Sequence, residues 1–156
     1  MHLDATIREQ GRRILEAPAA DRAALDAALR LLSKWRSHLI QNSIISDVGT
    51  DVQSGPFKGM RFVERSAEGC HVPKLLGSYE RELHPYLEAA IKRGYRHVVN
   101  IGMAEGYYAV GMALRMTAAQ VHVFDINEEA RKVCTNVAAL NGVTDRVSVG
   151  GLFRGE

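Results

Sequence analysis

The sequence predicts an α/β fold, a partial Rossmann-like parallel sheet of about three strands with an N-terminal helical segment and a short β-hairpin. From Tyr95 onward, short β-branched stretches alternate with longer stretches of helical periodicity. This alternation is typical of right-handed βαβ units and a parallel sheet. Before residue 48 the chain is rich in Ala, Leu and Arg at helical spacing. We therefore divide the chain into a helical segment (1–47), a hairpin with an entry helix (48–94) and a Rossmann-like half-domain (95–156).

The first segment predicts one long amphipathic helix with a shorter helix before it. Asp21 is expected at the start of the long helix, and Pro18 ends the preceding segment. Such an apolar stripe is typical of a cover over a core, or of a dimerisation or substrate-capping helix. We favour the cover, because a stripe alone does not select a partner. The stripe consists of Leu25, Ala28, Leu29, Leu32, Trp35 and Leu39.

The middle segment predicts a hairpin and then a helix. Two turn signals, at 54–56 and 58–59, separate β-prone pieces at 51–53 and 60–63. Pro85 is expected at the first position of the entry helix, with His84 near the cap and Gly94 at the end, and a separate turn or short helix is expected at 78–83. The predicted buried face of the entry helix is Tyr86, Leu87, Ala90 and Ile91.

The last segment predicts three strands and two helices. We expect strands at 97–101, 121–124 and 146–149, the first of them buried, and helices at 108–116 and 128–140. Asn127 is the expected N-cap of the second helix, which Asn141 and Gly142 end. The predicted inward residues are Val110, Ala113, Leu114, Val133, Cys134, Val137 and Leu140.

The composition is that of a globular domain without a strongly charged partner. The 156 residues are 46% hydrophobic and 24% charged, and the net charge of +2 is too small to indicate nucleic acid. No apolar run reaches the ~18 residues of a membrane span, and no secretory signal is recognisable. The two cysteines, Cys70 and Cys134, form neither a disulfide framework nor a paired metal motif. We expect a cytoplasmic protein with no metal site and no nucleic-acid or membrane partner.

The Gly-rich turn after the first predicted strand, in NIGMAEGYY (100–108), is the candidate ligand site. Small residues let a ligand approach the backbone, and the N–H groups at a helix start favour a carboxylate or phosphate. A dinucleotide loop has the pattern GxGxxG, which from Gly102 requires glycine at positions 104 and 107. The chain has Ala104 and Tyr107 there, which argues against NAD. No GK[ST] follows, so the turn is not a P-loop.

Asp125 ends the second predicted strand, about 20 residues beyond the glycine loop. An acid at that distance is placed to bind the two ribose hydroxyls of a nucleoside ligand. The alternative is that Asp125 only helps Asn127 to cap the following helix. We favour ribose binding, because the loop and the acid occur together.

Loop, acid and the following βα unit together resemble the class I S-adenosylmethionine (SAM)-dependent methyltransferases. The loop Gly102-Met103-Ala104-Glu105-Gly106 is similar to the GxGxG loop of that family, with alanine at the middle glycine. Asn100 stands where the family usually has Asp or Glu. HVFDIN and ARKVCTNVAALNGVTDRVSV are similar to its second motif, second helix and third strand. The earlier stretch, GPFKGMRF through LLGSYERELHPYLEAAI, resembles the entry segment of FkbM-type methyltransferases, including the pair Tyr79-Glu80. The resemblance covers about residues 52 to 151.

The resemblance implies SAM as cofactor and methyl transfer to an oxygen of a small molecule or sugar-like hydroxyl. The backbone of residues 102–106 would hold the methionine portion and Asn100 its ammonium, while Asp125 would bind the ribose and Ile126 the adenine. The implied cofactor site comprises Asn100, Gly102, Met103, Ala104, Glu105, Gly106, Asp125, Ile126 and Glu80. No catalytic residue is assigned. Candidate bases or substrate contacts are Glu80, Glu82 and His84, each more simply read as a surface or capping residue.

The resemblance also implies an incomplete sheet, since the family has seven strands in the order 3-2-1-4-5-7-6. Only the first three have counterparts here, which leaves strand 98–101 at an edge that invites pairing. We therefore expect a missing C-terminal half or a homo-oligomer, with weak SAM binding and no methyl transfer by this chain alone. Two alternatives remain open. One is an NAD- or nucleotide-binding Rossmann module, and the other is a non-catalytic oligomerising interaction domain, which Ala104 and Asn100 would favour.

Overall fold

A computed structural model describes residues 3–16, 21–64 and 69–155. The helices are α1 (Leu3–Leu15), α2 (Arg22–Val48), α3 (His71–Leu76), α4 (His84–Arg93), α5 (Tyr107–Arg115) and α6 (Glu128–Leu140). The strands are β1 (His97–Ile101), β2 (Gln120–Phe124) and β3 (Val147–Gly150), and short 3₁₀ turns cover Arg81–Leu83 and Thr144–Arg146. The chain forms two compact units, Met1–Ser46 and Asp47–Glu156.

Helix α1 and all but the last two residues of α2 belong to the first unit. The Asp21 carboxylate accepts a hydrogen bond from the Ala24 N–H at 3.0 Å, so Asp21 caps α2 as predicted, whereas Pro18 lies outside the described residues. Gly11 of α1 faces the Leu31 side chain of α2. The element that the predicted stripe covers stays a prediction. The four leucines of this stripe are all more than half exposed: Leu25, Leu29, Leu32 and Leu39. The helical pattern was visible in the sequence, but what covers each face was not.

The predicted hairpin is a compact turn with little ladder pairing. Asp51 and Arg61 form an isolated antiparallel bridge, and the Val52 N–H donates to the Met60 carbonyl at 2.9 Å. The glycines and the proline between the two pieces bring the chain back before a longer ladder can form. Four apolar side chains of this turn are 1–2% exposed and enter the core: Val52, Phe57, Met60 and Phe62.

The sequence pattern does not anticipate α3, a helix of 6 residues. Cys70 precedes it in the left-handed region (φ 51°) and is exposed, while His71, in the first turn, is buried. The entry helix α4 begins at His84, one residue before the predicted start, so Pro85 lies in its first turn; its end at Gly94 (φ 67°) is as predicted. Tyr86 is 74% exposed and α4 has no buried residue, so its predicted buried face is wrong at that position.

The three strands form one parallel sheet in the order β1-β2-β3. β1 is an edge strand, as predicted. Val121 and Val123 of β2 are fully buried on the face that α5 covers. On β1, Val99 is 55% and Ile101 is 59% exposed, so the predicted burial of this strand is wrong. A parallel strand is buried only where both of its faces are covered, and α5 covers one face of β1.

Helix α6 is fixed at both ends by asparagine side chains. The Asn127 Oδ1 accepts from the Glu129 N–H at 3.0 Å, which confirms the predicted N-cap. At the other end, the Asn141 side chain binds both the N–H (2.9 Å) and the carbonyl (2.8 Å) of Arg61. This attaches the turn at 51–62 to α6. Leu140 is 49% exposed, contrary to the predicted inward position.

Candidate functional site

The candidate site lies at the carboxyl edge of the sheet, where loop 102–106 joins β1 to α5 and Asp125 follows β2. Because the strands are parallel, these two chain segments meet at the same edge. The Gly102 N–H donates to the Phe124 carbonyl at 2.8 Å, which fixes the start of the loop against the end of β2. Sequence reasoning therefore placed the loop and the acid correctly relative to each other.

The glycines of the loop have two different roles. Gly102 (φ 73°) and Gly106 (φ 84°) are both in the left-handed region. A Cβ added at Gly106 would lie 2.6 Å from the Cys134 Sγ, so glycine there permits close packing of α5 on α6. A Cβ added at Gly102 would meet nothing within 4 Å. Gly106 is thus required by packing, whereas Gly102 borders open space.

Asp125 faces the loop. Its Oδ2 accepts a hydrogen bond from the Ala104 N–H at 3.1 Å, and its Oδ1 accepts from the Asn127 N–H at 2.8 Å. Ala104 has φ 48° without being glycine, a conformation that costs about 1–2 kcal/mol and that the Asp125 contact helps to hold. Each carboxylate oxygen keeps acceptor capacity for a further donor. The Asp125 carboxylate therefore contacts the loop and also supports the helix start, which is the second of the two roles weighed from the sequence.

The turn after β2 is supported from α6. The Arg131 guanidinium donates to the backbone carbonyls of Asp125 (2.8 Å) and Ile126 (3.1 Å). The Ile126 side chain is 79% exposed beside this turn. Arg131 therefore fixes the backbone from which the Asp125 and Ile126 side chains project.

Asn100 and Met103 differ in what they offer to a ligand. The Asn100 Oδ1 is buried and has no hydrogen-bond partner among the described residues. A buried acceptor without a donor costs about 1–3 kcal/mol, so this atom favours a ligand that supplies one. Met103 is only 4% exposed, so little of its side chain is available to contact a ligand.

Glu105 is fully buried and forms an ion pair with Lys74 of α3, with 2.7 Å between Oε2 and Nζ. The Lys74 side chain is 6% exposed, and its ammonium lies 5.2 Å from the centroid of the Tyr79 ring. Sequence reasoning missed Lys74. The two residues are 31 positions apart, and nothing in the local pattern marks a lysine of a short helix as buried.

Of the three candidate bases, Glu80 is the one joined to the helix that follows the loop. Glu80 is in the left-handed region (φ 45°), and its carboxylate accepts a hydrogen bond from the Tyr108 hydroxyl. Burial, together with the Glu80 carboxylate, raises the pKa of Tyr108. His84 donates from Nε2 to the Tyr79 carbonyl at 3.1 Å, which fits a capping residue, and Glu82 is exposed.

Tyr107 occupies the position at which a dinucleotide loop would have its third glycine. Its side chain is 3% exposed, and its ring centroid lies 5.3 Å from that of Phe57 and 5.7 Å from that of Phe62. Burial raises the pKa of Tyr107 to about 12. A large ring fixed in an aromatic cluster leaves no room for the close backbone approach that the glycine serves.

Two classes of site are not formed by the residues that the structure describes. In ranges 3–16, 21–64 and 69–155, no three His, Cys, Asp or Glu side chains cluster in a way that could hold a metal ion. Across the same described part of the chain, no helix combines the length and the apolar character needed to cross a membrane.

Comparison with known proteins gave partial similarities to solved methyltransferase structures. No family model and no curated protein matches the chain. It is similar to the O-methyltransferase TomG from Streptomyces achromogenes, solved with SAM (18% identity, TM-score 0.40, 44% of this chain and 33% of that chain). It is also similar to an O-methyltransferase from Bacillus cereus, solved with SAH (15% identity, TM-score 0.40, 97% of this chain and 53% of that chain). A third is an O-methyltransferase family 2 protein from Planctomyces limnophilus (16% identity, TM-score 0.35, 56% of this chain and 33% of that chain). The chain thus spans between about a third and about half of the length of these proteins.

Proposed function

We propose that loop 102–106 and Asp125 form the SAM site of a SAM-dependent methyltransferase, of which this chain carries the cofactor-binding portion. The observation that carries the proposal is the contact of the Asp125 carboxylate with the Ala104 N–H across the mouth of the loop, beside the open space at Gly102. This brings an acid and a glycine-containing turn together at the carboxyl edge of a parallel sheet, where such folds bind ligands.

The residues present fit the chemistry of this cofactor. SAM supplies a methyl group on a cationic sulfonium, together with a ribose diol and an ammonium. The Asp125 carboxylate would accept from the ribose hydroxyls, and the buried Oδ1 of Asn100 would accept from the ammonium. The exposed Ile126 side chain would pack on the adenine, and the backbone around Gly102 would border the methionine portion.

The acceptor that we propose is a hydroxyl of a small molecule or sugar-like compound. Methyl transfer to a hydroxyl requires alignment of the oxygen, methyl and sulfur atoms, and removal of the hydroxyl proton. Glu80 is joined by a hydrogen bond to Tyr108, the second residue of α5, and on that contact we assign it to the cofactor site or the acceptor site. The position of the Tyr79-Glu80 pair supports, as a further proposal, that the enzyme is of the FkbM type. The catalytic residue remains unassigned.

We also propose how the sheet is completed. The open β1 edge and the exposed Val99 and Ile101 would be covered by a C-terminal half of the fold or by a second copy of the chain. In functional terms, 48–94 serves as the entry segment and 95–156 as the cofactor-binding half, with 1–47 as a separate helical segment.

Titration calorimetry of the chain with SAM, S-adenosylhomocysteine (SAH) and NAD tests the proposal. We expect binding of SAM and SAH but not of NAD, and a loss of at least about tenfold in affinity for Asp125→Ala, since the variant removes a charged hydrogen-bond acceptor. The matched control is Asp145→Ala, an exposed acid of the 3₁₀ turn that precedes β3 at the opposite edge of the sheet.

Each outcome of the titration has a distinct meaning. Binding of NAD in place of SAM would support the nucleotide-binding module. Absence of binding by all three compounds would overturn the proposal and favour a non-catalytic interaction domain. Equal affinity of Asp125→Ala and Asp145→Ala would remove Asp125 from the site.

A further inference from the structure

The ion pair between Lys74 and Glu105 joins the short helix α3 to the middle of the candidate ligand loop. Both side chains are buried, at 6% and 0% exposure, and their charged atoms are 2.7 Å apart. We propose that Lys74 is a positioning residue for cofactor binding, because its ammonium fixes Glu105 and thereby holds loop 102–106 in the shape that accepts SAM. This inference rests on the proposed function.

Stability alone is a poor explanation for the pair. Moving two charges out of water costs several kcal/mol per ion, and apolar residues of similar volume in their place are often equally stabilising or better. A buried ion pair is better explained by conformational specificity, since it can favour one conformation of the surrounding chain over the alternatives. Here it selects one position for Glu105, whose backbone forms part of the loop.

The loop geometry connects Glu105 to the ligand side of the site. Its two neighbours are constrained: Ala104 (φ 48°) donates its N–H to Asp125, and Gly106 (φ 84°) packs over Cys134. Without the Lys74 ammonium, the buried Glu105 carboxylate would be driven toward water, and the loop backbone would have to shift to let it reach water. The Ala104 N–H lies one residue before Glu105, so we infer that this shift would disturb its hydrogen bond to the Asp125 carboxylate and that Lys74 acts on the acid through the loop.

Helix α3 is held in place by hydrogen bonds and close packing against the turn at 51–62. The Gln53 N–H donates to the Leu75 carbonyl at 2.8 Å, and the Ser54 hydroxyl donates to the Leu76 carbonyl. A Cβ added at Gly77 would overlap the Ser54 carbonyl oxygen, at 1.8 Å, which shows how closely the two segments approach. The Lys74 ammonium is therefore presented from a segment that is itself anchored to the core turn at 51–62.

The test compares three variants of the full chain by SAH titration and by urea unfolding. Lys74→Met leaves the buried Glu105 carboxylate without the Lys74 ammonium, so we expect lower stability and weaker SAH binding. The double variant Lys74→Met/Glu105→Leu removes both charges, so we expect stability to return while SAH affinity stays at least about tenfold below that of the wild type. Val121→Ala, in the core of β2, is the control: it lowers stability, and we expect SAH affinity within about twofold of the wild type.

The double variant separates positioning from a merely structural role. If it binds SAH as tightly as the wild type, the loop does not need the pair and the inference is overturned. If it fails to recover stability, the pair holds the fold and not the loop, which also overturns the inference. Failure of the wild-type chain to bind both SAM and SAH would instead overturn the proposed function, and this inference with it.

Discussion

The variant Gly102→Ala tests whether a ligand binds in the space beside the loop, through its effect on SAH affinity. Gly102 has φ 73°, and a Cβ added there would meet nothing within 4 Å. The cost to the free protein is therefore the left-handed conformation alone, about 1–2 kcal/mol. Gly94→Ala is a matched control, because Gly94 has φ 67° and equally open surroundings but lies at the end of α4, away from the loop.

Gly106→Ala gives the contrasting case within the same loop. It has the same kind of backbone strain (φ 84°), and its added Cβ would lie 2.6 Å from the Cys134 Sγ and 3.3 Å from the Cys134 Cα. Overpacking of a filled core adds about 1–3 kcal/mol, so the total cost is about 2–5 kcal/mol. This is a large part of the stability of a small domain.

Urea unfolding and SAH titration of the three variants provide the assay. We expect Gly102→Ala and Gly94→Ala to lose similar stability, with Gly106→Ala clearly less stable than both. We expect Gly102→Ala to lower the SAH affinity at least about tenfold, because the new methyl group occupies the space of the ligand. We expect Gly94→Ala, which loses similar stability, to keep the SAH affinity of the wild type. Unchanged SAH affinity in Gly102→Ala would refute the reasoning that the ligand approaches the backbone there.

Further expectations concern the thiols, one histidine and the sheet edge. At pH 8 an alkylating reagent should label the exposed Cys70 and spare the buried Cys134, because burial raises the pKa of Cys134 to about 11; mass spectrometry after digestion would show the reverse if this is wrong. Burial lowers the pKa of His71 below its usual 6.5, so the unfolded chain takes up that proton first and stability should fall as the pH drops below 6.5. His71→Asn should flatten this slope in urea unfolding, and an unchanged slope would assign it to other groups. Because the β1 edge and Val99 are exposed, the isolated chain should associate at micromolar concentration, and a monomer by light scattering would contradict this.

Features encoded by neighbouring residues were predictable. The Asn127 cap and the end of α4 at Gly94 each follow from residues within one or two turns of each other. The parallel sheet follows from the alternation of strands and helices along the chain. The meeting of Asp125 with the loop was also predictable, because strand direction alone brings the two carboxyl ends to one edge.

Features that depend on distant partners were not predictable. The apolar sequence of β1 predicts a buried strand, yet Val99 and Ile101 are exposed. Burial of a strand depends on which elements cover its two faces, and the residues of the strand do not specify them. The Lys74–Glu105 pair spans 31 positions, and neither residue carries a local sign of its partner. The leucine stripe of α2 likewise reveals a helical periodicity, but the sequence does not indicate which element packs against it.

The Asn141 side chain accepts a hydrogen bond from the Arg61 N–H and donates one to the Arg61 carbonyl. An adjacent β-strand would satisfy the backbone of Arg61 in the same way. They close a loop of 80 residues, a span whose closure entropy must be met before the contact contributes anything. The two helices and three strands from 97 to 150 can assemble through much shorter separations. The Asn141 carboxamide therefore joins the earlier part of this unit to the later part across the longest of these spans, beside the Lys74–Glu105 ion pair and the Glu80–Tyr108 hydrogen bond. We expect its two hydrogen bonds to form after the strands and helices of the later part have assembled.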